Sequence, residues 1–283
     1  APAAEELAAP FPPLLAEAEH LATTVLLGEH GRRRAGQGDD FWQYRQAMSW
    51  DEARMIDWRR SGRSDITFVR EREWQIAQSV MLWVDGSAAM SFSSLKDGPS
   101  KAQRARVLAL AAAVLLVRAG ERVGLTGRDV PPRRGEGQLL QIADALGAQT
   151  DEDYGSPETG RMLPHSKALF LSDFLGDMAP VEAALTKAAD RGVRGALLQV
   201  LDPQEEAFPF DGRTIFESMS GALQHETLKA GDLRQRYLER LAERKDRLQA
   251  LTRETGWQYL AHHTGDSAAS ALLWIHGALA PGS

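Results

Sequence analysis

The stretch SVMLWVD, residues 79–85, decides the fold, because a short apolar run ends abruptly at the carboxylate of Asp85. Such a run is typical of a strand that is buried on both faces of a sheet. Two later runs have the same form: KALFLSD ends at Asp173 and VRGALLQVLD ends at Asp202. Because helical patterns separate these runs, the sequence predicts a parallel sheet covered by helices on both faces.

The pattern outward from this run predicts the other elements. We expect strands at 121–127 and 257–264 and helices at 101–119, 137–146, 181–189, 233–252 and 268–279. The residues PPRR (131–134) are expected to lead into the helix at 137–146, and FPFDGRTIFE (208–217) is expected to form a hairpin. A helix at 14–27, ended by Gly28, comes first. The prediction is a doubly wound, mostly parallel α/β domain over residues 75–283. Residues 1–74, an N-terminal helix and an Arg/Trp-rich segment, are expected to pack on its core.

Composition excludes several classes of protein. The 283 residues are 43% hydrophobic and 25% charged, contain no Cys and carry a formal charge of -6. Without Cys there is no disulfide, thiolate zinc site, iron–sulfur cluster or cysteine nucleophile. The acidic balance argues against a nucleic-acid partner. The longest apolar run, residues 107–117, is too short for a membrane span of about 20 residues, and no secretory signal is evident, so we expect a cytoplasmic protein.

Motifs of common enzyme classes are absent from the sequence. There is no GxxxxGK[ST], no GxGxxG after a strand and no GxSxG. A phosphatase-like aspartate nucleophile would need a second Asp two residues after Asp85, where Ser87 stands. We therefore expect a protein that is not an enzyme.

The strand-end residues Asp85, Ser87 and Asp173 form one candidate site. The carboxyl ends of neighbouring parallel strands meet at one edge of a sheet, where α/β domains place their ligands. Carboxylate and hydroxyl oxygens are ligands that suit Mg²⁺. In the alternative interpretation, Asp85 only caps the following turn and Ser87 bonds to backbone amides.

A second candidate region, residues 31–73, holds ten Arg among eight acidic residues. Interleaved guanidinium and carboxylate groups can form an ion-pair network that fixes an irregular segment. A docking surface is the alternative, because Trp and Arg are enriched at interface hot spots. A net charge of about +2 makes nucleic-acid binding the weakest option. The candidate network residues are Arg45, Asp51, Arg54, Asp57, Trp58 and Arg63.

These two regions together resemble a known family, the bacterial domain-of-unknown-function family number 58, whose members carry a von Willebrand factor A-like domain. Ala47, Trp50 and Glu52 depart from its pattern, which has Tyr, Gly and Asp there. The matching residues are the strand ends Asp85-x-Ser87 and Ser172-Asp173-Phe174 and, before them, Gly36-x-Gly38-x-Asp40-Phe41, Arg45 and Asp51-Glu52-x-Arg54-x-Ile56-Asp57-Trp58-x-x-Ser61-x-Arg63.

The resemblance implies a metal-ion-dependent adhesion site, which reads D-x-S-x-S with a Thr and an Asp from two further loops. Asp85, Ser87 and Asp173 match three of its five positions. Ala89 replaces the second Ser, and the expected Thr loop at 134–138 has no hydroxyl residue. The site is therefore degenerate, with Mg²⁺ as a possible but not a firm ligand.

The resemblance also implies a function. Family members are often paired with MoxR-type AAA+ ATPases and are thought to help assemble or mature protein complexes. We therefore expect a non-enzymatic interaction module whose docking face includes residues 85–94 and 173–176. Two alternatives stay open: a Mg²⁺-dependent hydrolase that uses the strand-end aspartates, and a scaffold whose metal site is vestigial.

Overall fold

The computed structural model describes residues 13–30, 43–46, 56, 58–62, 67–71, 78–148, 150, 152–160, 162–209, 214–217, 224–227 and 230–280. The chain divides into two compact units, one of residues 28–77 and the other of residues 1–27 and 78–283. None of the helices in the described parts is long and apolar enough to cross a membrane.

The secondary structure alternates between strands and helices through most of the chain. A 3₁₀ turn, Ala88–Ser91, follows β3. The elements are α1 (Pro13–His30), β1 (Gln43–Gln46), α2 (Trp58–Ser61), β2 (Phe68–Glu71), β3 (Ser79–Val84), α3 (Lys101–Arg118), β4 (Arg122–Leu125), β5 (Val130–Arg133), α4 (Glu136–Leu146), β6 (Lys167–Ser172), α5 (Met178–Asp190), β7 (Arg194–Leu201), α6 (Pro203–Ala207), β8 (Thr214–Glu217), β9 (Gln224–Thr227), α7 (Ala230–Thr255), β10 (Gln258–His263) and α8 (Ala268–Ala278).

The central sheet has six strands in the order β10-β7-β6-β3-β4-β5, and every neighbouring pair is parallel except β4 and β5. Alternate residues of β3 face opposite cores. Val80 and Leu82 pack with α1, α3, α4 and α8, whereas Met81 and Trp83 pack with α5 and α7. The sheet is therefore covered on both faces, which confirms the predicted fold class.

Residues 13–27 of helix α1 belong to the same unit as the sheet. Its buried residues Leu15, Ala18, Ala22 and Val25 recur every three or four positions and join the core cluster of α3. Residues 28–77 form their own unit, with an antiparallel pair of β1 and β2. The expectation that the Arg/Trp-rich segment packs on the core stays a prediction.

The structure corrects the sequence prediction at strand β5. Residues 131–134 were expected only to lead into a helix, but Pro131 and Pro132 lie in β5, at the edge of the sheet, where proline costs fewer hydrogen bonds. Because β5 is antiparallel to β4, it returns the chain to the amino ends of the parallel strands. Residues 134–138 therefore lie far from the carboxyl ends.

Several other boundaries also differ from the prediction. Helix α1 continues through Gly28 to His30. Helix α5 begins at Met178, because Pro180 is tolerated in a first turn, where an N–H has no helical partner. Residues 214–217 of the expected hairpin form β8, whose antiparallel partner is β9, a strand beyond 208–217 that the sequence reasoning did not predict.

Candidate functional site

Three buried aspartates follow three neighbouring strands at the carboxyl edge of the sheet. Asp85 follows β3, Asp173 follows β6 and Asp202 follows β7, and these strands are adjacent in the order β7-β6-β3. All three side chains are at most 2% exposed. The structure thus places the predicted residues Asp85 and Asp173 on one edge and adds Asp202, which the sequence reasoning did not include in the site.

Asp85 is held by neutral hydrogen-bond donors. Its Oδ1 accepts from the backbone N–H of Ser87 (2.9 Å), and its Oδ2 accepts from the hydroxyl of Ser172 (2.6 Å). Burial raises the pKa of the Asp85 carboxyl above its usual value, although these hydrogen bonds oppose the rise. A Cβ at Gly155 would lie 2.3 Å from Oδ1, so the backbone there covers the carboxylate closely.

Ser87 is as buried as Asp85, but its hydroxyl is used differently. The backbone N–H of Ser87 completes the turn after β3, whereas its Oγ makes no hydrogen bond of good geometry. The hydroxyl lies close enough to help lower the pKa of the Asp85 carboxyl, against the larger effect of burial. Ser87 therefore offers the one oxygen of the predicted set that is not already committed to another group.

The loop that packs on the turn after β3 comprises residues 150 and 152–160, which corrects the expected position at 134–138. Backbone N–H groups of Ala88 and Ala89 donate to the carbonyls of Glu152 and Asp153. Thr150 N–H in turn donates to the carbonyl of Gly86. The expected loop was wrong because β5 carries residues 134–138 to the opposite end of the sheet.

Asp173 is held by a buried cation. Its Oδ2 accepts from Nζ of Lys101 (2.7 Å), and both side chains are 1% exposed. Its Oδ1 accepts from the backbone N–H of Leu175 (3.0 Å), and its carbonyl accepts from the side-chain amide of Gln199. Both carboxylate oxygens of Asp173 are therefore occupied by groups of the chain itself.

Lys101 joins two loops through a single ammonium group. Besides Asp173, its Nζ bonds Oε1 of Glu205 at 2.5 Å. The ring centroid of Phe92 lies 5.9 Å from Nζ, at the outer limit of a cation–π contact. Burial alone would lower the pKa of Lys101, but the negative charges of Asp173 and Glu205 outweigh it and raise that pKa.

Sequence reasoning did not single out Lys101, although one signal was available. Lys101 is the first residue of α3, directly after the N-cap Ser100. A cation in the first turn opposes the helix dipole, so its position there suggests a nearby acid. The sequence alone does not say which acid, because Asp173 is 72 residues away.

Asp202 connects the same edge to the loop before α3. It caps α6 in a capping box with Glu205, whose Oε2 accepts from Asp202 N–H (2.9 Å). Its carboxylate also accepts from the backbone N–H of Ser94 (2.8 Å) and from the Ser94 hydroxyl. Glu205 is therefore fixed between Asp202 and Lys101, and burial raises the pKa of its carboxyl.

The loop after β6 is held in place by an arginine of helix α7. Phe174 has φ 50°, a left-handed conformation that is uncommon for a bulky residue. Arg244 of α7 donates to the carbonyls of Phe174 (3.2 Å) and Gly176 (2.6 Å). These contacts fix the loop at the edge where Asp173 begins it.

The residues present do not fit a divalent ion of the adhesion-site type. The oxygens of Asp85 and Asp173 already accept hydrogen bonds, and the Lys101 ammonium beside Asp173 would repel a cation. Of the three predicted ligand residues, only Ser87 has a hydroxyl oxygen without a hydrogen bond. In the described part of the chain, no group of three or more acidic or histidine side chains could hold a metal. Whether Asp85, Ser87 and Asp173 bind Mg²⁺ stays a prediction.

The structure describes only part of the candidate network in the Arg/Trp-rich segment. Trp58 begins α2 and is 64% exposed, which favours a contact surface over a buried network for this side chain. The backbone of Arg45 lies in β1. Asp51, Arg54, Asp57 and Arg63 lie outside the described residues.

The fold is an α/β domain with a six-stranded, mostly parallel sheet, the architecture that the resemblance to von Willebrand factor A-like domains implies. The family described as "Protein of unknown function DUF58" matches residues 43–247, and the chain belongs to this family. The match covers most of the chain and confirms the resemblance that the sequence motifs predicted.

Several solved structures are similar to the chain. An aerotolerance-related membrane protein from Bacteroides fragilis has 16% identity and a TM-score of 0.43, covering 72% of this chain and 98% of that one. BatB from Bacteroides thetaiotaomicron has 14% identity and a TM-score of 0.41, with the same coverage. The SpRpn10 VWA domain has 11% identity and a TM-score of 0.34, covering 70% and 94%. No curated protein matches the sequence.

Proposed function

We propose that the chain is a non-enzymatic protein-interaction module that acts with a MoxR-type AAA+ ATPase in the assembly or maturation of protein complexes. One observation carries the proposal: the acids at the carboxyl edge bond to groups of the chain itself. Asp85 is held by Ser87 and Ser172, and Asp173 by Leu175 and Lys101. Such an edge is a rigid surface for recognition.

A hydrolase that uses the strand-end aspartates is less well supported. A general acid, base or nucleophile has to reach the substrate within hydrogen-bond distance. Asp85 and Asp173 are buried behind the loops that follow their strands, and their oxygens already accept hydrogen bonds. The geometry therefore favours binding over catalysis.

Tyr154 is the residue of this edge that we propose as a main contact for the partner. Its side chain is 46% exposed, and its Cβ packs on Gly176 in the loop after β6. Tyrosine is enriched at interface hot spots. Since Arg244 fixes the carbonyl of Gly176, the loop beneath Tyr154 is positioned before a partner arrives.

The test measures binding to a purified MoxR-type ATPase from the same genome by biolayer interferometry, with ATP and without. The Tyr154→Ala substitution should weaken binding about tenfold or more, the size of a hot-spot loss. Leu163→Ala is the matched control, because Leu163 is 49% exposed but precedes β6, at the opposite end of the strand. It should leave binding unchanged.

Two results would contradict this function. Equal losses from Tyr154→Ala and Leu163→Ala would move the docking face away from the carboxyl edge. Hydrolysis of a generic phosphate ester with Mg²⁺, lost in Asp85→Asn, would favour the enzyme instead. We place this activity in the cytoplasm, where an ATP-driven partner has its substrate.

The scaffold with a vestigial metal site is a second candidate, favoured by the ion pairs of Lys101 with Asp173 and Glu205. In that case the partner contacts belong to the Arg/Trp segment. Trp58→Ala would then weaken binding more than Tyr154→Ala, so the same binding assay separates the two functions.

A further inference from the structure

The cation at the carboxyl edge belongs to the chain itself. Lys101 Nζ lies 2.7 Å from Oδ2 of Asp173 and 2.5 Å from Oε1 of Glu205. Asp173 is the residue that matches the last acid of the metal-ion-dependent adhesion site. The ammonium therefore bonds the carboxylate that the family pattern assigns to a divalent ion.

The buried positive charge of Lys101 has to be balanced by the negative charges of these acids. The residue is 1% exposed and occupies the first turn of α3, where the helix dipole disfavours a positive charge. A buried charge is tolerated only when it is paired and hydrogen-bonded. Asp173 and Glu205 supply that pairing, and Phe92 covers the ammonium at 5.9 Å.

The acids are fixed independently of Lys101. Asp173 also accepts from Leu175 N–H, and Glu205 also accepts from Asp202 N–H. Glu205 belongs to the capping box of α6, and Asp173 begins the loop after β6. The two carboxylates therefore form a preformed anionic cage, into which α3 inserts one positive charge.

We propose that Lys101 is a built-in cation that replaces the divalent ion of the adhesion site, so that the edge keeps its structure without metal. It follows that removing the lysine creates a latent divalent-cation site between Asp173 and Glu205. Oxygen ligands from two carboxylates, completed by water, suit Mg²⁺ and Mn²⁺. The proposal goes beyond the function given above and holds whichever partner the edge binds.

The test compares thermal unfolding in EDTA with unfolding in millimolar Mn²⁺. The native chain should keep its Tm within about 1 °C, because an ion stabilises a folded protein only when it binds to a site in that protein. Lys101→Ala, which removes the charge and opens space, should lower Tm in EDTA by about 6–20 °C, since it leaves two buried carboxylates without their cation. Mn²⁺ should then raise its Tm by at least about 3 °C.

Lys96→Ala is the matched control, because Lys96 lies in the loop before α3 and is exposed. It should change Tm by less than about 2 °C and should show no response to Mn²⁺. A Lys101→Ala chain no less stable than Lys96→Ala would overturn the proposal. So would a folded Lys101→Ala chain that does not respond to Mn²⁺.

Two further measurements decide the question if Lys101→Ala does not fold. Electron paramagnetic resonance of Mn²⁺ with the native chain should show only the free aqueous ion. A bound ion that disappears in Asp85→Asn would overturn the proposal. The double variant Lys101→Met/Asp173→Asn should fold, because it removes the buried charge together with its fully buried partner, while Glu205 is partly exposed and keeps its hydrogen bond from Asp202 N–H. Failure of this variant to fold would also overturn the proposal.

Discussion

Asp85 and Asp173 end adjacent strands of one sheet and are equally buried, yet the protein stabilises them in different ways. Asp85 has only neutral donors, the N–H of Ser87 and the hydroxyl of Ser172. Asp173 has the ammonium of Lys101 in addition to a backbone N–H. Two buried carboxylates at one edge of the sheet are therefore stabilised by different donors, neutral groups for Asp85 and an ammonium group for Asp173.

The difference has an energetic consequence. Burial makes the Asp85 carboxyl easier to protonate and raises its pKa, and the hydrogen bonds from its neutral donors oppose this rise without cancelling it. A carboxylate in a buried ion pair contributes little net stability, but removing one partner leaves an unpaired charge that is strongly destabilising. Substitutions at Asp173 should therefore cost much more than neutral replacements at Asp85.

The largest expected effect is that of Asp173→Ala. The substitution leaves Lys101 with Glu205 as its one remaining carboxylate partner and takes the acceptor from Leu175 N–H. We expect the free energy of unfolding at neutral pH to fall by about 3 kcal/mol, the lower end of the range for a broken buried pair. Urea unfolding followed by circular dichroism measures it.

Asp177→Ala is the control for this substitution. Asp177 is exposed in the same loop and caps α5 by accepting from Ala179 N–H. Loss of such a cap costs about 1 kcal/mol. If both variants lose the same stability, Asp173 behaves as an ordinary loop acid, and the contrast with Asp85 disappears.

The next effect concerns the backbone that covers Asp85. A Cβ at Gly155 would lie 2.3 Å from Oδ1 and 2.6 Å from Cγ of Asp85, so the carboxylate or the loop must move. We expect Gly155→Ala to cost about 1–3 kcal/mol, as overpacking of a tight site does. The measurement is again urea unfolding.

Gly160→Ala tests whether the loss at Gly155 reflects contact with Asp85. Gly160 lies at the end of the same loop, and a Cβ there would meet no atom within 4 Å. Its substitution should change stability by less than about 0.5 kcal/mol. A Gly155→Ala variant as stable as Gly160→Ala would show that the loop does not press on the carboxylate in solution.

Most of the fold could be predicted from the sequence because the signals are local. The apolar runs that end at Asp85, Asp173 and Asp202 became three neighbouring strands, and the predicted fold class is confirmed. Strand β5 was missed because Pro131 and Pro132 lower the strand signal, and only its edge position makes them acceptable.

Only the site residues that directly follow a strand could be predicted from the sequence. Neighbouring parallel strands placed Asp85 and Asp173 on the same edge without knowledge of any long-range contact. Lys101 could not be assigned in that way, because the helix α3 that carries it must pack on the sheet before its ammonium meets Asp173. The 150–160 loop was missed for the same reason, since the antiparallel turn of β5 decides where it lies.

The smallest effect, and the sharpest test of the comparison, is that of Asp85→Asn. The amide keeps an acceptor for Ser87 N–H and removes a charge that burial disfavours, so we expect less than about 1 kcal/mol of change at neutral pH. The contrast between Asp85 and Asp173 should appear in the pH dependence of the free energy of unfolding. Because the pKa of Asp85 is raised in the folded state, the native chain holds that proton more tightly than the unfolded chain.

It follows that the native chain should gain stability relative to Asp85→Asn as pH falls through the raised pKa of Asp85 toward 3.8, the ordinary value. Urea unfolding of both chains at several pH values from 7.5 to 4 measures this difference, and the exposed Asp97→Asn serves as the control. If the difference instead shrinks toward acid pH, Asp85 is stabilised as an anion. The hydrogen bonds from Ser87 and Ser172 would then outweigh the effect of burial, and the contrast in pKa that we infer for Asp85 would be wrong.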